Sequence, residues 1–231
     1  MTRPPLHSFF DQNAAVTYDE RNQKLAPIGD GLHFLIRLIL GDLPARSRVL
    51  CVGAGTGAEI LSLASAYPRW SFVGVDPSAS MLEVCRNRLT EAGVIDRCQL
   101  VTGFVQDLPP GGDYDAVVSV LVAHFVDKAE RAGFFREMTS RLRKGGCLVN
   151  AEIGFDLDAP GADSMIDQWK KIQALMGAAP EGLAGLPKVL REVLQVLPPA
   201  ETERLIRDSG IGRPVQFFQS LMIRAWYGSK A

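Results

Sequence analysis

From Arg48 onward the chain alternates short apolar runs with amphipathic stretches, and this alternation restricts the fold more than any other feature of the sequence. Arg48–Val52 is apolar and ends in glycines, so it predicts a first strand. Residues 58–67 predict a helix closed by Pro68, and residues 70–75 a second strand. Residues 78–92 predict a second helix, with Leu82, Cys85 and Leu89 spaced along one face. Residues 99–102 and 114–122 predict two further strands, the latter nearly all apolar, as a strand covered on both faces should be. Residues 129–143 predict a helix ended by Lys144-Gly145-Gly146, where glycine suits a left-handed terminal residue. Residues 147–153 predict a fifth strand.

Strands alternating with helices imply parallel strands joined by right-handed crossovers. The alternation breaks over residues 155–197, which combine a loop, a helix over 164–176, a stretch rich in Gly, Ala and Pro, and a short helix over 188–197. This segment reads as a helical insert over the sheet edge. A helix over 200–209 and a hairpin from 215–218 and 221–227 close the chain. The expectation is a doubly wound α/β domain over 47–231, its seven-stranded sheet mostly parallel, with the insert and a terminal antiparallel hairpin. Residues 1–46 precede it as a helical segment. A chain of 231 residues suits one such domain. Ligands of these sheets bind at the carboxyl ends of the strands, where the strand order reverses.

Gly53-Ala54-Gly55-Thr56-Gly57 joins the first strand to the first helix. Gly53 and Gly55 let the backbone pass close to a ligand, and Gly57 lets the helix start tightly against the sheet. The second strand ends at Asp76, nineteen residues after Gly57, a place where an acidic residue can take both hydroxyls of a ribose. Asp76 could instead cap the helix that follows Pro77 and Ser78, but the glycine loop upstream favours ribose. A dinucleotide pyrophosphate asks for GxGxxG, whereas the third glycine here comes one residue early, which disfavours an NAD-dependent oxidoreductase.

These motifs resemble those of the class I S-adenosylmethionine-dependent methyltransferases. VLCVGAGTG is similar to their first motif, FVGVDPSASML to their second and GFVQDLP to their third. YDAVVSVLVAHF and LRKGGCLVNAEI resemble their fourth strand and the junction into the fifth. The layout, with its FFDQNAAVTYDE opening, insert and closing aromatic strand, is most similar to that of carboxy-S-adenosylmethionine synthases. The resemblance implies S-adenosyl-L-methionine as cofactor, held by Gly53, Ala54, Gly55, Gly57, Asp76, Pro77, Met81, Phe104, Val105 and Val120. It also implies that Tyr18 and Arg21 fold over the cofactor, with Arg21 near its carboxylate. Two positions depart from the family: Cys51 stands where an acidic residue is common, and Phe104 where Asp often takes the adenine amino group. Phe104 could wall the adenine while the Val105 amide reads a ring nitrogen. The synthases carry an arginine in the insert for an extra carboxylate; Pro187 aligns there, with Lys188 and Arg191 as neighbours.

Displacement at a methylated sulfonium needs alignment more than acid–base help, because the leaving group is already cationic. His124, after the fourth strand, is the candidate catalytic base or hydrogen-bond partner, with a histidine satisfied by local backbone as the equal alternative. Met165, Trp169, Ile172 and Met176 give the insert apolar faces that could pack on the domain, on a second subunit of a homodimer, or on an apolar substrate. The net charge of −1 gives no global attraction to nucleic acid or anionic membrane, so a small-molecule acceptor is expected. The four cysteines form no CxxC pair and the three histidines have no zinc spacing, so neither disulfides nor a metal site are expected. The N-terminus lacks the apolar core of a signal peptide, and the most apolar stretch, 32–40, includes His33 and Arg37 and is too short to span a bilayer. A cytoplasmic protein is expected. The activity classes left open are a small-molecule methyltransferase, a carboxy-S-adenosylmethionine synthase-like transferase, and a non-catalytic protein that binds S-adenosylmethionine.

Overall fold

The computed structural model describes Glu20 and residues 23–231. Its strands are β1 (Arg48–Val52), β2 (Ser71–Asp76), β3 (Cys98–Thr102), β4 (Tyr114–Val120), β5 (Leu142–Ile153), β6 (Val215–Ser220) and β7 (Ile223–Ser229). They form one sheet in the order β3-β2-β1-β4-β5-β7-β6. β1 to β5 pair in parallel, and β7 runs antiparallel to both β5 and β6. The chain winds outward from β1 to β3, then crosses back to start β4 beside β1. The order therefore reverses between β1 and β4, and their carboxyl ends open a crevice there.

The helices are α1 (Ala26–Leu40), α2 (Ala58–Ala66), α3 (Ala79–Glu91), α4 (Arg131–Ser140), α5 (Ala162–Leu175), α6 (Pro180–Lys188) and α7 (Pro199–Asp208). Side chains alternate across each strand, so β1 faces both layers. Val49 and Cys51 join Phe72, Val118 and Val149 under Leu32 and Ile36 of α1, Ile60 and Leu63 of α2, and Leu82, Cys85 and Leu89 of α3. Leu50 and Val52 join Val73, Val75, Val117 and Leu148 under Phe135 and Met138 of α4 and Ile206 of α7. Each Leu, Val or Phe so enclosed contributes about 1.5–3 kcal/mol relative to exposure.

The boundaries around β4 and β5 differ from the sequence reading. The helix expected to reach residue 143 ends at Ser140, and β5 begins at Leu142, which pairs with Tyr114 before a register shift. Gly145, at φ 74°, serves this bulge rather than a helix end, and a Cβ on Gly146 would lie 2.9 Å from the Arg143 carbonyl oxygen. β4 stops at Val120 because Leu121 turns left-handed at φ 58°, while its amide still donates to the Ala151 carbonyl at 2.7 Å.

The insert holds α5, α6 and a π-helical turn over Val189–Val193. Ile166, Trp169, Leu186 and Leu190 pack with Leu157 onto Met222 and Ile223, with Met165, Ile172, Leu121 and Ile153 around them. Of the three partners open to the insert's apolar faces, the domain's own carboxyl edge takes Trp169 and its neighbours. The second insert helix starts at Pro180 rather than 188 and contains Gly182, Gly185 and Pro187. Among the described residues no helix is long and apolar enough to cross a membrane, and no group of His, Cys, Asp and Glu could hold a metal ion.

Candidate cofactor and acceptor site

The β1–α2 loop folds through three left-handed glycines, Gly53 (φ 69°), Gly55 (φ 51°) and Gly57 (φ 85°), each strained for any side chain. They do different work. A Cβ on Gly53 would come within 2.3 Å of Val122 Cγ2, and one on Gly57 within 2.6 Å of Cys85 Sγ. Those two glycines admit close packing, Gly53 against the β4 edge and Gly57 against α3. At Gly55 the nearest atom to a Cβ would be Met81 Cε at 3.5 Å, so this face is open for a ligand. Buried Ala54 donates its amide to the Val75 carbonyl, as Gly53 does, which ties the loop to the end of β2.

Asp76 locks that arrangement. Its Oδ2 accepts from the Gly55 amide at 2.9 Å and its Oδ1 from the Ser78 amide at 2.8 Å. Burial lifts its carboxyl above the ordinary carboxylate value, and the two amides pull it back. The N-cap of α3 is Ser78, whose Oγ accepts from the Met81 amide at 3.3 Å. Asp76 is therefore not the cap of that helix but the link between the glycine loop and the end of β2. Each carboxylate oxygen receives one amide and keeps capacity for a second donor, which is what a pair of ribose hydroxyls requires.

Two cavities flank the loop. One, of about 580 Å³, lies over Gly53, Pro77, Phe104, Val105 and Val122. Phe104 is 42% exposed, presenting its ring as a wall, while Val105 is buried beneath. The Asp107 carboxylate accepts from the Phe104 amide at 2.8 Å, so it caps its own turn. The second cavity, of about 920 Å³, opens between α1 and α2 and touches Thr56, Ala58, Val120, Leu121 and Ile223. The left-handed Leu121 divides them: Val120 and Leu121 face the larger cavity and Val122 the smaller.

Of the residues singled out from sequence, Gly53, Pro77, Phe104 and Val105 meet in the smaller cavity and Val120 lines the larger. Gly55, Asp76 and buried Met81 meet at the loop. Tyr18 and Arg21 lie outside the described residues. His124 lines neither cavity: it is 2% exposed, on a 3₁₀ turn (Ala123–Phe125), and its Nδ1 faces the Ile153 amide at 3.5 Å. Arg131, fully buried, binds that turn to the insert by donating to the carbonyls of His124 at 3.3 Å and Leu194 at 2.6 Å. Lys188 pairs with Glu192, and Arg191 donates to Asp158 at 2.6 Å and to the Leu157 carbonyl at 2.5 Å; neither lines either of these two cavities. All four cysteines are free thiols, and burial holds the Cys51 thiol well above its ordinary value.

The loop, the carboxylate at the end of β2 and the cavities to either side fit a ligand carrying a nucleoside and a polar tail. Residues 49–146 match the methyltransferase domain model. Over these residues, under half of the chain, the protein resembles the class I S-adenosylmethionine-dependent methyltransferases. It is 24% identical over 210 residues, covering 90% of this chain and 88% of the relative, to a carboxy-S-adenosyl-L-methionine synthase from Campylobacter fetus. The fold is similar to that of an O-methyltransferase family protein from Burkholderia thailandensis (TM-score 0.71, 11% identity), over 96% of this chain and 61% of that one. It is also similar to that of human N-acetylserotonin methyltransferase in complex with S-adenosylmethionine (TM-score 0.66, 14% identity), over 96% of this chain and 57% of that one. The chain thus spans less than two thirds of each of these two solved structures. Methyl transfer is the reaction of such a domain, and the human enzyme is bound to S-adenosylmethionine. The open face at Gly55 and the spare acceptor capacity of Asp76 suit that cofactor's adenosyl part.

The larger cavity was not foreseen. Its walls meet through His33 and Glu59, 26 residues apart, and sequence offers only their helical spacing with Arg37 and Ser62 as a signal.

Proposed function

We propose that this methyltransferase acts on a small-molecule acceptor, with the adenosyl part of the cofactor in the smaller cavity and the acceptor approaching from the larger one. The observation that carries the reading is the pair of cavities on either side of the loop pinned by Asp76 to Gly55. Asp76 takes the ribose hydroxyls, Phe104 walls the adenine with Pro77 and Met81 beside it, and the Val105 amide reads a ring nitrogen. Ala54, Gly53 and Gly57 hold the loop shape, and Val120 borders the methyl-transfer position. Tyr18 and Arg21 are proposed to cover the cofactor's amino-acid end. When bound, S-adenosylmethionine supplies an activated methyl group on a cationic sulfur. The chain's part is to exclude water and to align the acceptor. His124 is proposed to position the β4 edge rather than to move a proton, since its ring is buried and faced by backbone.

The insert is proposed as the lid of the acceptor side, because it packs on Leu121, which lines the larger cavity. A homodimer contact through the insert would use its exposed Leu175 and Val189. The net charge of −1 supports a small acceptor over nucleic acid, and four free thiols support a cytoplasmic location. Incubation with methyl-labelled cofactor and a fractionated cell extract tests the proposal. Label in a low-mass product supports it, and label confined to nucleic acid or protein contradicts it.

A second reading is a carboxy-S-adenosylmethionine synthase-like transferase, favoured by similarity to such a synthase along nearly the whole chain, insert included. Against it, Lys188 and Arg191, the cations beside the expected arginine position, are engaged within the insert. Mass spectrometry of ligand released from the purified protein separates the two: a carboxylated sulfonium supports the second, and S-adenosylmethionine or S-adenosylhomocysteine the first.

A further inference from the structure

The larger cavity is built for a ligand of mixed charge. Its α2 wall carries Glu59, two residues past Gly57 and in the first turn of the helix that the glycine loop opens. Its α1 wall carries His33 and, one turn on, Arg37. His33 Nε2 lies 3.2 Å from Glu59 Oε1, with both side chains largely enclosed. Arg37 donates to the neutral Ser62 hydroxyl at 2.7 Å and makes no ion pair among the described residues, and Arg88 donates to Thr56 Oγ1 at 2.9 Å. The other acids on the lining, Glu20 and Asp30, are exposed. One sheltered carboxylate beside the glycine loop, with cations on the same walls, is the complement of an α-amino-acid zwitterion.

The methionyl end of S-adenosylmethionine is such a zwitterion. At the end of β1 the chain presents Cys51, whose thiol is buried and neutral, so it supplies no charge for an ammonium group. Glu59 stands in the first turn of α2, which the glycine loop joins to that strand, and lines the cavity.

We propose that Glu59, held in place by His33, receives the α-ammonium group of the cofactor in the cavity between α1 and α2. This rests on the S-adenosylmethionine reading above. Arg37 and Arg88 face the ligand's carboxylate, and His33 is a positioning residue that fixes the Glu59 rotamer.

The competing account is a ladder: His33–Glu59 and Arg37–Ser62 are two rungs between α1 and α2 and could serve packing alone. Two ligands separate the accounts. S-adenosylhomocysteine carries the amino-acid end, whereas 5′-methylthioadenosine keeps the adenine, ribose and sulfur without it. Calorimetry on Glu59→Gln, which keeps side-chain shape and an acceptor for His33, is expected to show S-adenosylhomocysteine bound about 10- to 100-fold more weakly, the scale of a lost charged hydrogen bond. Affinity for 5′-methylthioadenosine is expected to stay within about twofold, inside the error of such comparisons. His33→Ala should show the same selective loss at smaller amplitude, and His33→Gln, which can still donate, should recover part of it. Equal losses for both ligands, or no loss for either, would overturn the assignment. If the unaltered chain bound neither ligand, the cofactor reading itself would fall and this assignment with it.

Discussion

Replacing Asp76 by alanine should separate two roles that the structure joins in one carboxylate. The first is structural. Asp76 accepts from the Gly55 and Ser78 amides at 2.9 and 2.8 Å, so the change leaves two largely buried donors without their acceptor. A hydrogen bond to a charged group contributes about 1.5–3 kcal/mol net. Part of the loss of two is offset, because the folded chain no longer buries a carboxylate whose pKa burial has raised. A destabilisation of about 1–3 kcal/mol remains, or a melting temperature lower by about 3–10 °C for a chain of this length. The second role is binding. Removing the acceptor for two ribose hydroxyls should weaken S-adenosylhomocysteine by about 1.5–3 kcal/mol, which is about 10- to 150-fold. Calorimetric titration at 25 °C, with a circular dichroism melt alongside to establish that the variant is folded, reads both. Asp76→Asn keeps the size but offers one acceptor oxygen, and it should fall between wild type and alanine in both measurements. A folded Asp76→Ala protein with unchanged affinity would refute the ribose assignment and leave Asp76 as a structural clasp.

Gly55→Val should remove measurable S-adenosylhomocysteine binding while lowering stability by about 1–3 kcal/mol, because a β-branched side chain is strained at φ 51° and fills the face open to the ligand; tight binding by this variant would show the loop to be only a turn. Glu152 is fully enclosed, and burial raises its carboxyl from 4.5 despite the Thr202 hydroxyl and the Arg131 charge, which act to lower it. The folded chain thus holds that proton to higher pH than the unfolded chain does, so this group's contribution to stability falls as pH rises from about 4.5 through the folded value. Urea unfolding at several pH values should show the decline in wild type and its loss in Glu152→Gln; parallel curves would contradict it. Replacing residues 177–185 by a Gly-Ser linker, keeping Leu186 in the insert core, should leave S-adenosylhomocysteine affinity within about twofold while turnover falls at least about tenfold. Collapsed affinity in a folded variant would place the insert in the cofactor site.

The central sheet was legible because each of its strands is a short apolar run bounded by a breaker. The glycine loop and Asp76 could be found because their spacing is local. Where the sequence reading slipped, a second force acted. Leu142 stands four residues after Met138, so it reads as helical, but it pairs with Tyr114 in the sheet. Pro180–Lys188 contains Gly182, Gly185 and Pro187 and reads as loop, yet Leu186 is held in the apolar cluster around Trp169, and packing outweighs propensity. For His124 the sequence left a reactive ring and a backbone-satisfied one open, and the fold encloses the ring against the Ile153 amide. The His33–Glu59 contact joins helices far apart in the chain, so nothing local announces it. Gly53 lines the smaller cavity, and the atoms that exclude a Cβ at Gly53 and Gly57 belong to Val122 and Cys85, neighbours that spacing does not name.

The account stands on one ligand, and titration calorimetry of the unaltered chain with S-adenosylhomocysteine and with NAD tests it most directly. One S-adenosylhomocysteine should bind per chain, with 5′-methylthioadenosine competing for the same site and NAD giving no heat. Binding of NAD with none of S-adenosylhomocysteine would contradict the account, because it would mean that the loop from Gly53 to Gly57 and the carboxylate of Asp76 serve a dinucleotide.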